Sequence, residues 1–219
     1  AISTQKPLWV YAILLLLTLG VGSQIPRITI DTDPENMLDA DHPARVFHNQ
    51  TKADFGMYDA IVVGVVDDEN SQGVYNQSSL TDIFDLTESI LAIDGVVDAD
   101  LMSISTVDNI SQAGPGTIRF EWMMPNPPSD EAAAAQIQTN IERLPLLYDT
   151  LVSQNGKAAA IYVPILDKNE SYRIAEEIRA TINQFDGTEQ WYITGLPVAE
   201  DQFGFEMFVQ MGISAPLAG

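Results

Sequence analysis

The sequence predicts an α+β domain that follows an apolar N-terminal helix, and two observations support this prediction. All 31 acidic residues lie from Asp31 onward, whereas residues 1–30 carry only the charges of Lys6 and Arg27. In the acidic part, segments with helical spacing of apolar residues alternate with short segments that are typical of strands. The chain has no Cys, which excludes disulfides, thiol catalysis and Cys-based zinc sites.

The net charge of −21 limits the partners that the chain can bind. Nucleic-acid binding depends on cationic side chains that displace phosphate counterions, and this sequence has few of them. The same deficit disfavours adhesion to anionic lipid headgroups. We therefore expect no nucleic acid among the partners.

The N-terminal head is long enough for a transmembrane helix. Residues 8–25 contain no charge, and as a helix they span about 27 Å at a rise of ~1.5 Å per residue. The hydrocarbon core of a bilayer is about 30 Å thick. Trp9 and Tyr11 lie near one end, where interfacial aromatic residues are expected. The sequence predicts a transmembrane helix with its flanks over residues 1–28, anchored by Trp9, Tyr11, Leu14 and Leu16.

Two other interpretations of the head stay open. Residues 21–23 (VGS) are small and would suit the cleavage site of a signal peptide. The segment could also form a helix that is buried in the body. Lys6 and Arg27 flank it on opposite sides, so the positive-inside rule does not set its orientation.

The C-terminal tail is apolar as well. Residues 203–219 carry one charge, Glu206. We interpret residues 201–219 as the truncated start of a second membrane helix, and a helix that docks on the body is the alternative. The chain begins at Ala1 without Met and ends inside this stretch, so we expect a piece of a longer polypeptide.

The first half of the body, residues 29–200, contains four predicted elements in which helices and strands alternate. A helix is expected to start at Asp41, its cap, and to end at Phe55 before a glycine. The unbroken apolar run at residues 60–66 predicts a central strand, and a polar, solvated turn follows it. A helix over residues 80–93 and a strand over residues 96–105 come next.

The second half of the body contains one strand whose pattern predicts half-burial. In residues 117–124, Ile118, Phe120, Trp122 and Met124 alternate with other side chains. Ser129 is expected to cap the next helix, which Pro145 breaks. The remaining predicted elements are a second helical segment to residue 154, a strand at 158–166, a helix at 169–185 and a strand at 189–195.

The order of these elements predicts a fold. The central stretch runs β, α, β, β, α, β, which is the order of a ferredoxin-like, split βαβ domain. One predicted helix precedes this unit, and a helix and a strand follow it. The fold class predicted is therefore α+β, with a ferredoxin-like domain behind an N-terminal transmembrane helix.

No motif for catalysis, a cofactor or a metal occurs in the sequence. The acidic loop that starts at Asp31 has Asn36 and His42 where an EF-hand needs Gly and Glu. His42 and His48 are six residues apart and do not share a helix face. Nucleotide-binding and serine-hydrolase motifs are also missing. We expect no enzyme activity, and we assign no catalytic, cofactor or metal residues.

One short segment could serve an apolar ligand. Residues 122–124 (WMM) could line a lipid-binding cleft, because Met and aromatic side chains adapt to varied apolar ligands. The alternative is that Trp122 and Met124 alternate into the core. Met123 faces the other way and is then the more interesting candidate.

Short motifs stand in an informative order along the chain. They are residues 31–38 (DTDPENML), 55–56 (FG), the strand at 61–66, 95–99 (GVVDA, with Ala99 a departure), 101–103 (LMS) and 193–197 (ITGLP). This order resembles the resistance-nodulation-division (RND) transporter superfamily, and most closely its MMPL-type, hydrophobe/amphiphile efflux branch. The resemblance covers nearly the whole chain.

The resemblance implies a proton-driven exporter of lipids or other hydrophobic or amphiphilic compounds in the cell (inner) membrane. Residues 29–200 would be its periplasmic or extracellular porter domain, working with the remaining spans and a second porter domain. Proton-relay residues of such proteins lie in later spans, so none is assigned here. The alternative function is a membrane-anchored extracytoplasmic sensor or ligand-binding module.

Overall fold

The structure is a computed structural model that describes residues 7–24 and 34–217, and it confirms a mixed α+β architecture. Residues 31–33 at the start of the predicted acidic loop, and Ile25 at the predicted end of the first helix, lie outside these residues, whereas Pro34–Met37 of that loop form a 3₁₀ turn. The α-helices are α1 (Pro7–Gly22), α2 (Pro43–Phe55), α3 (Gln77–Leu91), α4 (Glu131–Glu142), α5 (Ser171–Ile182) and α6 (Leu196–Leu217). The strands are β1 (Asp59–Val66), β2 (Asp108–Gly114), β3 (Thr117–Trp122), β4 (Ala158–Ile165) and β5 (Gln190–Thr194).

The central sheet has three strands in the order β4-β1-β5, so the predicted central strand is confirmed. β1 is antiparallel to both neighbours, and Val63 lies opposite Ile161 of β4 and Ile193 of β5. β4 and β5 are therefore parallel to each other, and α5 connects them. A strand pair of this kind with an antiparallel strand between its members is a split βαβ unit.

The core lies between this sheet and the helices α3 and α5. Alternate residues of β1 are fully buried, as the strand period of two requires. The apolar sides of α3 and α5 pack against this core, although Phe84 and Leu91 of α3 and Ile182 of α5 are only half-buried. The core includes Ile61, Val63 and Val65 of β1, Leu80, Ile83, Leu86 and Ile90 of α3, and Ile174 and Ile178 of α5.

The predicted strand at 96–105 is wrong as a regular strand, although its position is right. It follows the free edge of β4 through two isolated bridges, Val96 to Ile165 and Met102 to Tyr162. A 3₁₀ turn, Asp98–Asp100, interrupts it. Local side-chain hydrogen bonds compete with a ladder here, because the Thr106 hydroxyl donates to the Leu101 carbonyl at 2.8 Å.

The predicted strand at 117–124 is confirmed over β3, but its half-burial is wrong. Among the described residues, β3 pairs only with β2, a strand that the sequence did not indicate, and the two form a separate hairpin. Ile118, Phe120 and Trp122 are 64%, 65% and 56% exposed, so no described helix covers their face. The strand ends at Trp122, and the chain then turns inward and buries Met123 and Met124 together.

Two predicted caps and one predicted helix need correction. His42, not Asp41, caps α2, and its Nδ1 accepts a hydrogen bond from the Ala44 N–H. Asp130, not Ser129, caps α4 through the Ala133 N–H. α4 ends before Pro145, as predicted, but the segment up to residue 154 forms turns whose Val152 bridges Ala159 of β4. The segment therefore pairs with the edge of the sheet and does not form the predicted helix.

Candidate functional site

The four predicted anchor residues all lie on α1 with their side chains exposed. Trp9 and Tyr11 are 68% and 70% exposed, and Leu14 and Leu16 are 53% and 70% exposed. A helix buried in the body is therefore not found. Among the helices of the described residues, none is both long enough and apolar enough to cross a membrane.

The second apolar helix, α6, has two different halves. It begins at Leu196, earlier than predicted, and contacts β1, β5 and α5 at its start. Val198 is buried, and the Ser171 hydroxyl donates to the Asp201 carboxylate. Farther along, Phe203 and Ile213 are 66% and 63% exposed. The docking alternative thus fits the beginning of α6, and an uncovered apolar helix follows.

The body contains a cleft of about 460 Å³, which we name the acidic cleft. It lies between α3, the irregular segment after it and the end of β3. Buried Leu101 and Met124 form part of its wall, and exposed Trp122 stands at its side. Its lining residues are Phe84, Glu88, Leu91, Asp98, Ala99, Leu101, Ser105, Thr106, Trp122, Met124 and Pro125.

Helical spacing explains how α3 contributes to the acidic cleft. Phe84, Glu88 and Leu91 lie four and three residues apart, so they share one side of the helix. Their neighbours Ile83, Thr87 and Ile90 are buried against the core and fix the rotation of α3. The Thr87 hydroxyl also lies 3.0 Å from the Ser103 hydroxyl, which fastens the opposite wall to the helix.

The charged side chains that line the acidic cleft are all negative. Glu88 and Asp98 are exposed, and its lining includes no Lys, Arg or His. The Asp98 carboxylate accepts a hydrogen bond from the Ala99 N–H at 2.8 Å. The Thr106 hydroxyl is engaged with the backbone of Leu101 and Ser103. The cleft therefore combines apolar walls with carboxylates that face water.

An exposed apolar surface extends outward from the cleft along the hairpin. Ile110 is paired with Phe120 and Gln112 with Ile118, so these side chains share a face with Trp122. We name Ile110, Ile118, Phe120 and Trp122 the apolar hairpin face. The opposite face holds the hairpin to the body, because buried Asn109 accepts from Arg143 at 2.7 Å and donates to Glu121 at 3.3 Å.

The sequence identified part of this site. Trp122 and Met124, which it offered as lipid-binding candidates, line the acidic cleft, whereas Met123 is buried outside it. Phe84 and Leu91 have the spacing of an ordinary apolar helix face, which gives no indication of a ligand site. Glu88 was missed, although its position four residues after Phe84 was a usable signal. Asp98 could not be placed without knowing the 3₁₀ turn.

A second polar cluster joins the ends of β1, α3 and β5. Asp67, expected in a solvated turn, is buried, and its Oδ2 accepts from Asn76 Nδ2 at 3.0 Å. The Ser79 hydroxyl lies within hydrogen-bond reach of this oxygen (3.3 Å) and of Glu189 Oε1. Burial, followed by the carboxylates of Glu189 and Asp85, raises the pKa of Asp82 from 3.8 to about 6.

This cluster has a structural role. Asn76 caps α3 by accepting from the Ser79 N–H at 2.9 Å, and it also donates to the Gly73 carbonyl at 2.7 Å. Within residues 7–24 and 34–217, no group of three or more His, Asp or Glu side chains is arranged to hold a metal ion. The cluster thus connects three elements of the core.

No protein-family model matches the chain, and no curated protein matches it either. The chemistry of the site therefore rests on its own residues. These are an apolar hairpin face, a cleft with carboxylates at its opening, and exposed apolar helices at both ends of the described chain.

Proposed function

We propose that this chain is the N-terminal span and extracytoplasmic porter domain of a proton-driven RND-type exporter of lipids or other hydrophobic or amphiphilic compounds. The observation that carries the proposal is the apolar hairpin face leading to the acidic cleft. Four large apolar side chains, each between 43% and 65% exposed, lie on an otherwise strongly acidic body. Contiguous apolar surface of this kind marks binding sites for apolar ligands or partners.

The topology supports a ferredoxin-like porter domain. β4, α5 and β5 form one split unit around β1, and the segment that bridges β4 occupies the place of a fourth strand beyond it. β1 and this segment are joined through α3, which gives a second interleaved unit. The hairpin and α4 are inserted between the two units, so the acidic cleft lies where the insertion joins the core.

The helices at both ends support attachment to a membrane. The side chains of α1 are apolar on all sides and exposed, which is costly in water and favourable in lipid. In the proposal, α1 and the residues that follow it anchor the body, and the exposed half of α6 enters the same bilayer. The body then faces the periplasm or the extracellular space.

The proposed mechanism needs no catalytic group in this chain. The apolar hairpin face receives the apolar part of a substrate at the membrane surface, and the acidic cleft holds it. Movement of the domain against the remaining spans and a second porter domain then releases it, as in alternating access. Proton transfer that drives the cycle belongs to membrane spans outside this chain.

The experiment is export by the full-length protein in proteoliposomes with an imposed proton gradient. A fluorescent phospholipid reports substrate extraction. We expect Phe120→Ser to reduce export several-fold, because it removes the centre of the apolar hairpin face. The matched control is Phe47→Ser on α2, since Phe47 is similarly exposed, at 73% against 65% for Phe120.

Two outcomes would contradict the proposal. Export that is absent with wild-type protein, while the amphiphile still binds, would favour the membrane-anchored sensor or binding module. Equal export by the two Phe variants would remove the apolar hairpin face from the mechanism.

A further inference from the structure

We infer that the acidic cleft selects amphiphiles whose head group carries a positive charge, such as an alkyl quaternary ammonium. The inference deepens the proposed function and rests on it for its role in export. The selectivity itself follows from the geometry and charge of the cleft, and binding measures it independently of transport.

The first step is the position of the two carboxylates. Glu88 lies on α3 and Asp98 on the 3₁₀ turn, so they approach the opening from two different elements. Neither forms a salt bridge within the described residues. Asp98 has one local partner, the Ala99 N–H. Both side chains are exposed and can pair with a cation that enters the cleft.

The second step is the charge of the surrounding chain. Residues 53–118, which supply α3 and the irregular wall of the cleft, contain twelve Asp or Glu and no Lys, Arg or His. A concave site with charges of one sign concentrates ligands of the opposite sign. An anionic head group placed at Glu88 and Asp98 would be repelled, whereas a cationic one would be attracted.

The third step is the fit of the rest of the ligand. A cleft of about 460 Å³ lies within the ~300–1,000 Å³ range of small-molecule sites. Leu101 and Met124 offer buried apolar surface to an alkyl chain, and Met adapts to chains of different shape. The exposed indole of Trp122 can also face an ammonium group, because the ring face attracts cations.

Three probes with the same alkyl chain separate head-group charge from apolar attraction. They are decyltrimethylammonium, decyl sulfate and decyl maltoside, each used below its micelle concentration. The 219-residue chain carries Trp9→Phe and Trp191→Phe, which leaves Trp122 as the single fluorescent indole. α1 is present in every variant, so for each probe its own uptake of detergent is the same in all variants.

We expect the ammonium probe to change Trp122 fluorescence saturably and to bind about tenfold tighter than the sulfate. The variant Glu88→Gln/Asp98→Asn should abolish this preference and leave decyl maltoside binding unchanged. The matched control is Asp68→Asn/Glu69→Gln, which makes the same change in net charge at an exposed turn outside the cleft. Circular dichroism checks that each variant is folded.

Equal affinity for the ammonium and the sulfate would overturn the inference. A preference that survives Glu88→Gln/Asp98→Asn, or that falls equally in the control, would overturn it as well. Export that continues without head-group preference would support the proposed function and contradict only the selectivity of the cleft. Selective binding without export would support the selectivity and contradict the proposed function.

Discussion

The central strand β1 and the hairpin strand β3 both place large apolar side chains at alternate positions on one face, and the two faces have opposite exposure. Ile61, Val63 and Val65 of β1 are completely buried, whereas Phe120 and Trp122 of β3 remain more than half exposed. β1 has a partner strand on each side and helices against its inner face. β3 has only β2. The comparison teaches that a strand's pattern selects which side chains share a face, while the surrounding elements decide whether that face is covered.

Among substitutions that test covered against uncovered apolar surface, we expect those in the exposed helix α1 to have the largest effect. We expect Leu14→Asp/Leu16→Asp to abolish association with zwitterionic liposomes, because each charge costs about 2.5–3.5 kcal/mol in a bilayer. Co-flotation with liposomes on a density gradient measures it. Leu14→Ala/Leu16→Ala should still float. Equal flotation of the Asp and Ala variants would contradict an anchor at α1.

A pair of Ile substitutions tests the contrast between core and hairpin directly. Ile174 of α5 is fully buried and Ile118 of β3 is 64% exposed. Ile174→Asp should destabilise the body by about 4 kcal/mol, since it leaves an unpaired charge in the core. Ile118→Asp should stay within about 0.5 kcal/mol. Urea unfolding followed by circular dichroism gives both values, and similar losses would mean that the hairpin is part of the core.

The capping residues of α3 and α4 also differ in burial. Buried Asn76 caps α3 and also satisfies Asp67, whereas Asp130 caps α4 at the surface. We expect Asn76→Ala to cost about 2–3 kcal/mol and Asp130→Ala about 1 kcal/mol. Unfolding midpoints of the two variants test the difference. A larger loss at Asp130 would show that the buried cluster contributes less than its hydrogen bonds indicate.

The smallest effect concerns pH. The pKa of Asp82 is raised to about 6 in the folded chain, so the folded state holds this proton more tightly than the unfolded state. Its contribution to stability is therefore present below pH 3.8 and is lost as the pH rises to about 6. Asp82 is partly exposed, so Asp82→Asn should stabilise the protein at pH 8 by only about 1 kcal/mol.

Unfolding of Asp82→Asn and wild type at a series of pH values checks this expectation. The difference should shrink as the pH falls and vanish near pH 4. Asp68→Asn at the exposed turn is the control for the same change of charge. A constant difference across the range would mean that Asp82 does not titrate as its surroundings indicate.

Much of the body could be predicted from the sequence, and the errors have a common cause. An unbroken apolar run indicates the strand at 60–66, and apolar residues at helical spacing indicate the helix that carries Ile174. Both signals can be recognised within a short stretch of the sequence. The segment at 96–105 has a similar composition but forms only two bridges. Whether it becomes a strand depends on its hydrogen bonds with the edge of β4. Those partners are distant in the sequence, so a short stretch of sequence does not reveal them.

The candidate site shows the same limit. Trp122 and Met124 could be named as ligand candidates because aromatic and Met side chains suit apolar ligands. Their joint position with Glu88 and Asp98 could not be derived, because the strand stops at Trp122 and the chain turns inward there. Two more residues of regular strand would have placed Met124 beside Trp122 on the outer face.

The sequence by itself determined the separation of an apolar head from an acidic body, the α+β class and most element positions. It also determined the end of α2 at Gly56, whose left-handed φ of 58° suits glycine. These features depend on charge, on the periodicity of apolar residues and on interactions between residues that are close in sequence. The tertiary structure alone decided the uncovered hairpin, the irregular edge of β4 and the acidic cleft. Each of these requires residues far apart in sequence to meet, and that meeting depends on packing and edge pairing across the whole body.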